Sequence, residues 1–256
     1  MRRLTAISGF KAKGPAVFLL ELDGRRLILD LGRGPDHGAR PDLSGVGPVD
    51  AILISHGHPD HVGSLDLRDQ LGNPPVHASD PVRALADDPA LRRAEALPRS
   101  GRIEIAGLGV ETGGAGHAPG ALWMQVGGEG GLLYTGDLSD ESVLYACDPL
   151  PHAAALVFDA SYGAYDTPLA EGFAALLDAS RARPLLLPVP AAGRGLEMAV
   201  LLCEAGADIA LCPAHRASAR NSCRARIGWP PPVPSGWRRR CTRLARSTGR
   251  RSRRGS

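Results

Sequence analysis

The chain has 256 residues, enough for one large domain or for one domain and part of a second. Hydrophobic residues make up 43% of it, as in an ordinary globular protein, and no apolar run approaches the roughly 20 residues that span a bilayer. Residues 1–208 hold 17 Lys and Arg against 27 Asp and Glu, whereas residues 209–256 hold 13 Arg and no acid. The net charge of +3 therefore describes neither part and does not indicate a basic domain surface.

The cysteines and the first residues bear on the cellular compartment. The five cysteines are odd in number and scattered, with no CxxC pair, which argues against a disulfide framework and indicates a reducing compartment. The N-terminal segment has two Arg but no apolar run after them, so no signal peptide is predicted. We expect a cytoplasmic protein that is not bound to a membrane. The sequence leaves its oligomeric state open.

The first half of the chain predicts mainly strands. Residues 16–24 and 25–32 are apolar runs joined at Asp23-Gly24, a typical hairpin turn. Residues 50–55 predict a short buried strand that ends at a cluster of histidines. Helical stretches are expected after that cluster and over 80–96. Further strand character is predicted over 101–114, over 121–137 with a glycine-rich turn at 127–131, and over 155–163.

The pattern then changes to an alternation of helices and strands. Residues 168–183 and 193–206 have helical spacing, and the apolar runs 184–189 and 207–213 predict strands, so a separate α/β unit begins here. From about residue 216 the chain is rich in Arg, Ser, Pro and Gly and loses its apolar periodicity. Such a composition predicts a disordered tail.

Four side chains that are able to bind metal occupy the six positions from His56 to His61, in the sequence HGHPDH. Residues two apart in an extended loop project to the same side, so His56, His58 and Asp60 are expected to face one cavity. Imidazole and carboxylate together form a donor set typical of zinc, with iron and manganese also compatible. The segment therefore predicts a metal site at the end of the buried strand.

HGHPDH after a buried strand resembles the HxHxDH motif of the metallo-β-lactamase superfamily. His117 in GAGHAPG and Asp137 in YTGD follow in that family's order and settings. The resemblance implies Zn²⁺ at two sites, with Asp137 bridging, and a water activated between the metals. It implies His56, His58 and His117 as ligands of the first metal, and Asp60, His61 and Asp137 as ligands of the second. Asp60 is also the candidate catalytic residue, since it can orient the attacking water and accept its proton.

Two further segments indicate which subgroup of this superfamily the chain resembles. Residues 159–163 (DASYG) and 188–197 (PVPAAGRGLE) are similar to motifs of the β-CASP nuclease subgroup, which includes ribonuclease J and 3′-end processing endonucleases. The implied fold class is α/β, an αββα sandwich followed by the beginning of a second α/β unit. The domains expected from this resemblance are a metallo-β-lactamase domain (1–166), a partial β-CASP-like segment (167–215) and a disordered basic tail (216–256).

The subgroup also has two later histidines, one a metal ligand and one a general acid. Here the histidines after Asp137 are His152 and His215, which come too early and in another context. We therefore expect the second metal to bind weakly and turnover to be slow. His37 and His77 are interpreted as surface or structural residues.

Three functions remain open at this point. The first is a metal-dependent hydrolase that cleaves phosphodiester bonds in RNA, and the second is an impaired or non-catalytic metal-binding homologue. The third is a hydrolase of small thioesters, esters or lactones, because a fold does not fix a substrate. The Arg-rich tail could contact phosphates, but a plain disordered end explains it as well, so RNA binding is not inferred from it.

Overall fold

The computed structural model describes residues 2–10, 14–34, 38–86 and 88–225, without the side chains of 221–225. The strands within these ranges are β1 (Arg2–Ser8), β2 (Val17–Leu22), β3 (Arg25–Leu29), β4 (Ala51–Leu53), β5 (Val76–Ser79), β6 (Glu95–Leu97), β7 (Gly101–Ile105), β8 (Leu108–Gly114), β9 (Leu122–Val126), β10 (Leu132–Tyr134) and β11 (Ala155–Val157). The α-helices are α1 (Pro59–Val62), α2 (Asp80–Leu85), α3 (Pro89–Arg92), α4 (Leu169–Ala182), α5 (Arg194–Glu204) and α6 (Pro213–Ala225). Short 3₁₀ helices span Leu65–Leu71 and Gly128–Gly130.

The strands form two sheets. The first has the order β1-β2-β3-β4-β5-β6, antiparallel over β1 to β3 and parallel from β3 to β6. The second has the order β11-β10-β9-β8-β7, antiparallel except for the β10–β11 pair. Leu27 and Leu53 of the first sheet share one buried cluster with Val110 and Met124 of the second, so the sheets pack face to face. The predicted α/β class and two-sheet sandwich are confirmed.

The two sheets are covered differently on their outer faces. Ile28 and Ile52 of the first sheet pack beneath helices, against residues such as Leu71, Val82 and Leu91. The outer face of the second sheet is covered by the loop 144–153. That loop supplies carbonyl groups to the sheet, because Trp123 Nε1 donates a hydrogen bond to the Asp148 carbonyl over 3.3 Å and Gln125 donates one to the His152 carbonyl.

Both predicted hairpins are present. β2 and β3 pair antiparallel across Asp23 and Gly24, whose φ angles of 50° and 80° lie in the left-handed region that this turn requires. β9 and β10 pair antiparallel around the glycine-rich turn 127–131. The turn residues therefore located both hairpins correctly.

The second α/β unit differs from its prediction in the strands. Helices α4 and α5 form where the periodicity predicts them. The segments 184–189 and 207–213 form no strand, although their residues alternate between half-buried and exposed as an edge strand would. A strand needs a hydrogen-bonded neighbour, and within the described ranges neither segment has one. Leu186 is accordingly 93% exposed.

Part of the expected tail is helical. Helix α6 includes residues 216–225, and Ala219 is fully buried in a cluster with Leu144 and Tyr145. Alanine and arginine are good helix formers, and the burial of Ala219 stabilises a helix that the weak apolar pattern did not predict. Residues 226–256 of the predicted tail lie outside the described residues. Over the described part of the chain, no helix has both the length and the apolar character needed to cross a membrane.

Candidate metal centre

The HGHPDH loop is fixed by main-chain hydrogen bonds to two neighbouring segments. The Ala16 amide donates to the Asp60 carbonyl over 2.8 Å, and the Leu31 amide donates to the His61 carbonyl over 2.8 Å. Gly32 permits this approach, since a Cβ at that position would lie 1.7 Å from the Asp60 carbonyl oxygen. The buried strand β4 anchors the start of the loop. The histidines are therefore held by rigid elements rather than by a free loop.

Four of the predicted ligands converge on one point. One donor atom each of His56, His58, His117 and Asp137 lies within 4.8 Å of all the others. His58 Nδ1 is 3.0 Å from His56 Nε2 and 3.1 Å from His117 Nε2, and His117 Nε2 is 3.3 Å from Asp137 Oδ2. A tetrahedron with metal–ligand bonds of about 2.0–2.1 Å has edges of roughly 3.4 Å, so these separations suit one ion among the four donors.

Glycines bring the last two of these residues into place. Gly116 has a φ of 68°, and a Cβ there would lie 1.8 Å from the Ser139 carbonyl, so His117 follows a turn that packs directly on the segment after Asp137. Gly136 has a φ of 54°, and its Cβ would lie 2.6 Å from Ser55. The TGD turn of the second sheet thus touches the end of β4 in the first sheet, and this contact places Asp137 beside His56.

The charge states of the four residues suit a cation. Burial, and then the neighbouring His61, lower the pKa of His56 well below its ordinary value, and burial lowers the pKa of His117 to about 4. Burial also lowers the pKa of His58. Burial alone would raise the pKa of Asp137, but the hydrogen bond and charge of His61 lower it to about 2. Three neutral imidazoles and one ionised carboxylate are the protonation states that a divalent metal requires.

His61 lies on helix α1 at the edge of this cluster, between two acids. Its Nδ1 donates a hydrogen bond to Asp30 Oδ2 over 2.7 Å, and its Nε2 faces Asp137 Oδ1 at 3.1 Å. Burial by itself would lower the pKa of His61, but Asp30 and Asp137 raise it to about 10. Nε2 thus faces the same carboxylate that completes the four-donor cluster, but His61 is not a member of that cluster, and its raised pKa favours the protonated form.

Asp30 contacts Ser55, next to this cluster, and His61 at its edge, and the sequence analysis did not identify it. It is fully buried and, besides His61, accepts hydrogen bonds from the Ser55 amide (2.7 Å), the Ser55 hydroxyl (2.6 Å) and the Tyr134 hydroxyl. Ser55 Oγ lies 3.1 Å from His56 Nδ1, so the Asp30 network also orients the first histidine. The sequence does contain one indication of its role, since Asp30 is a single acid inside the apolar run LILDLG. A carboxylate buried in such a run needs hydrogen-bond partners.

Asp60 occupies the first turn of α1, after Pro59, and is half-buried. It does not belong to the four-donor cluster, but its charge acts on the neighbouring ligand by raising the pKa of His58 against the effect of burial. The structure therefore places Asp60 close enough to influence the cluster.

Residues 12–171 match the sequence model of the Metallo-beta-lactamase superfamily, which covers more than half of the chain and contains all the residues of the cluster. The chain belongs to the metallo-beta-lactamase superfamily. The order of its ligands along the chain and the two-sheet sandwich agree with this assignment.

Curated relatives of this superfamily member are named as ribonucleases and as a transcription termination factor. The chain is 32% identical to Ribonuclease TTHA0252 of Thermus thermophilus over 57% of its length and 40% of the relative's. It is 27% identical to the transcription termination factor FttA of Methanothermobacter thermautotrophicus over 79% of its length and 39% of the relative's. It is 29% identical to endoribonuclease ysh1 of Schizosaccharomyces pombe over 75% of its length and 31% of the relative's. The chain spans less than half the length of each, and their names agree with the resemblance to β-CASP nucleases.

The remaining histidines of this metallo-beta-lactamase chain that the structure describes stand apart from the four-donor cluster. His77 is buried in β5, 3.7 Å from a Glu95 carboxylate oxygen, which fits its interpretation as a structural residue. His152 is exposed, and His215 lies on α6 with its Nδ1 3.0 Å from Cys212 Sγ. His37 lies outside the described residues.

The DASYG segment adjoins the metal centre through Asp159. The Asp159 amide donates to Thr135 Oγ1 over 3.1 Å, and Asp159 Oδ2 accepts from the Leu138 amide over 3.3 Å. Asp159 therefore brackets the turn that carries Asp137, and its charge opposes the lowering of the His117 pKa.

Proposed function

We propose that this protein is a metal-dependent hydrolase that cleaves phosphodiester bonds in RNA. The observation that carries the proposal is the convergence of three neutral imidazoles and one ionised carboxylate on a single point. This donor set fits a divalent metal, and a metal bound there supplies Lewis-acid activation of a water and of a phosphoryl oxygen. The relatives named as ribonucleases support RNA as the substrate class.

The proposed ion is Zn²⁺ at two sites. His56, His58 and His117 would hold the first ion, Asp60 and His61 would hold the second, and Asp137 would be shared by both. Imidazole-rich donors favour zinc over magnesium or calcium. We expect the second site to be weaker, because its single imidazole is hydrogen-bonded to two carboxylates and must release the proton on Nε2 first.

We assign the catalytic role to Asp60. Its carboxylate lies on the first turn of α1, beside the cluster rather than inside it. From there it can orient the attacking water and accept its proton, which is general-base work that typically contributes 10²–10⁴-fold. Asp137, by contrast, is already engaged by His61 and His117 and serves as a ligand.

We also propose a first domain over residues 1–166 and a cytoplasmic location. The expected boundary between residues 215 and 216 lies inside helix α6 (Pro213–Ala225), so the second unit extends at least to residue 225. The two-sheet sandwich ends with β11, before α4 begins, which supports the first boundary. The free thiols of Cys147, Cys203 and Cys212 are compatible with a reducing compartment.

An activity screen tests the proposed reaction. The purified chain, supplied with Zn²⁺ or Mn²⁺, is offered labelled single-stranded RNA, a chromogenic phosphodiester and a thioester. We expect cleavage of RNA and of the phosphodiester, and Asp60→Ala should reduce the rate of both by about 10²–10⁴-fold.

The control for this screen is His152→Ala, which removes an exposed imidazole outside the cluster and should leave the rates unchanged. Turnover of the thioester alone would replace the proposal with a small-molecule hydrolase. A chain that binds metal and turns over none of the three would be a non-catalytic homologue.

A further inference from the structure

The main chain of the second α/β unit reaches the candidate metal centre at Ala192. The Ala192 carbonyl oxygen lies 3.4 Å from His58 Nε2, while His58 Nδ1 faces His56 and His117 in the cluster. With its Nε2 proton donated to Ala192, His58 presents the lone pair of Nδ1 to the cluster. Partners of this kind fix the ring orientation and the tautomer of a metal-ligating histidine.

The position of Ala192 depends on close contacts of its neighbour Gly193. Gly193 has a φ of 73°, and a Cβ at this position would lie 3.0 Å from the His117 carbonyl oxygen and 3.3 Å from Ala118. On its other side, the Tyr145 hydroxyl donates a hydrogen bond to the Gly193 carbonyl over 3.4 Å. The segment is thus held between the His117 loop and Tyr145, with little freedom to shift.

Glu197, on the helix that follows this segment, is an almost fully buried carboxylate with only 1% of its surface exposed. Its Oε1 accepts hydrogen bonds from Ser142 Oγ (2.8 Å) and from the Val143 amide (2.7 Å), and its Oε2 accepts one from Arg194 Nη1 (2.6 Å). Burial of a carboxylate is costly unless it is paired and hydrogen-bonded, and Glu197 meets both conditions. It joins the N-terminal turn of α5 to the loop that follows Asp137.

Apolar contacts also hold α5 against the loop that follows Asp137, but they do not fix its exact position. Leu196 and Val200 of α5 are buried with Leu144 and Tyr145 in one cluster. Apolar contact is not directional, whereas the three hydrogen bonds of Glu197 fix α5 relative to the loop in distance and in rotation.

We infer that Glu197 is a positioning residue of the metal centre, which holds the Ala192 carbonyl on His58 Nε2 by binding Ser142, Val143 and Arg194. The inference rests on the proposed metal site at His58. The second α/β unit then contributes to the metal centre itself. Loss of such an outer partner typically weakens metal binding by 10–100-fold.

The test is Co²⁺ binding to the purified full chain, followed by its visible absorption and by competition with a chelator. We expect Glu197→Ala to bind Co²⁺ about 10–100-fold more weakly than the wild type. At saturating Co²⁺ its absorption band should also differ, because the His58 ring has lost its partner. Glu197→Gln keeps the side-chain volume and an amide oxygen for Ser142 and Val143, and should therefore return towards the wild type.

Glu171→Ala is the matched control, since Glu171 is exposed on α4, and it should bind Co²⁺ as the wild type does. A wild-type chain that fails to bind Co²⁺ would count against the proposed metal site. A wild type that binds Co²⁺, with a Glu197→Ala variant of the same affinity and spectrum, would overturn the role of Glu197 alone.

Should Glu197→Ala not fold, a pair of glycine variants decides the question. Gly193→Ala pushes the Ala192 segment away from His117, whereas Gly206→Ala changes a glycine of similar φ (84°) whose Cβ meets nothing within 4 Å. We expect Gly193→Ala to weaken Co²⁺ binding and to alter the band, and Gly206→Ala to do neither. Equal Co²⁺ affinities and spectra for the two variants would overturn the inference.

Discussion

Asp30 links His61 to the four-donor cluster, because its carboxylate binds Ser55 behind His56 as well as His61. Asp30→Asn keeps the shape but replaces an acceptor oxygen with a donor group, which then faces donors. We expect metal affinity to fall by about 10–100-fold. The free energy of unfolding should fall by about 1–3 kcal/mol, since a buried donor loses its partner. Chelator competition and urea unfolding measure the two effects.

Asp66→Asn is the matched control for this variant. Asp66 pairs with Arg40 at the surface, where its side chain is 64% exposed, and surface pairs contribute about 0–1 kcal/mol. Metal binding should not change. If the two Asn variants bound metal equally well, Asp30 would have no role in orienting the ligands.

At the scale of single residues, the sequence predicted candidate metal ligands where they lie close together in the chain. His56 and His58 could be predicted as neighbours because the loop that carries them is short, and the family resemblance added His117 and Asp137. Asp30 and Ala192 could not be found in this way. Their contacts with His61 and His58 join distant segments, and a main-chain carbonyl carries no side-chain signal.

Among the elements, the turn between β10 and Asp137 sets how the two sheets meet. Gly136→Ala places a methyl group 2.6 Å from Ser55 at a φ of 54°, whereas Gly128→Ala, at a φ of 64°, places one in open space. Both variants suffer the left-handed backbone cost of about 1–2 kcal/mol. Gly136→Ala should lose a further 1–3 kcal/mol, roughly, through overpacking. It should also bind metal more weakly, because Asp137 is displaced.

Thermal unfolding and chelator competition on these two glycine variants separate the close contact from the backbone cost. The prediction would be wrong if Gly128→Ala were as destabilised as Gly136→Ala. A Gly136→Ala variant with normal metal affinity would show that Asp137 tolerates a shift of this turn.

Elements could be predicted from the sequence when their signal is local. The hairpin turn at Asp23-Gly24 and the periodic helices α4 and α5 are such cases, and the structure confirms them. The runs 184–189 and 207–213 have strand-like composition, but a strand also needs a partner, which composition does not supply.

At the scale of the whole molecule, the metal centre lies where separate layers meet. His56 follows β4 of the first sheet, His117 and Asp137 follow β8 and β10 of the second, and Ala192 belongs to the second α/β unit. A bound ion would therefore cross-link the two sheets, in addition to the hydrogen bond from the Leu122 amide to the Ser55 carbonyl (2.9 Å) that already joins them. The fold class could be predicted because the alternation of strands and the motif order are visible in the sequence. The meeting of these layers at the metal centre could not be predicted, because it depends on how the layers pack.

Metal removal should therefore destabilise the entire chain. A ligand that binds only the folded state stabilises it by about 2.7 kcal/mol at 100 times its dissociation constant. For a chain of this size that corresponds to a fall in Tm of about 5–10 °C when a chelator strips the ion. Differential scanning fluorimetry of the zinc-loaded chain with and without EDTA measures the fall. His58→Ala should start at a lower Tm and lose its response to EDTA, whereas His152→Ala should keep the full response, because its imidazole is exposed and outside the cluster. A wild-type Tm that EDTA leaves unchanged, in a chain shown to carry zinc beforehand, would mean that the ion does not join these layers.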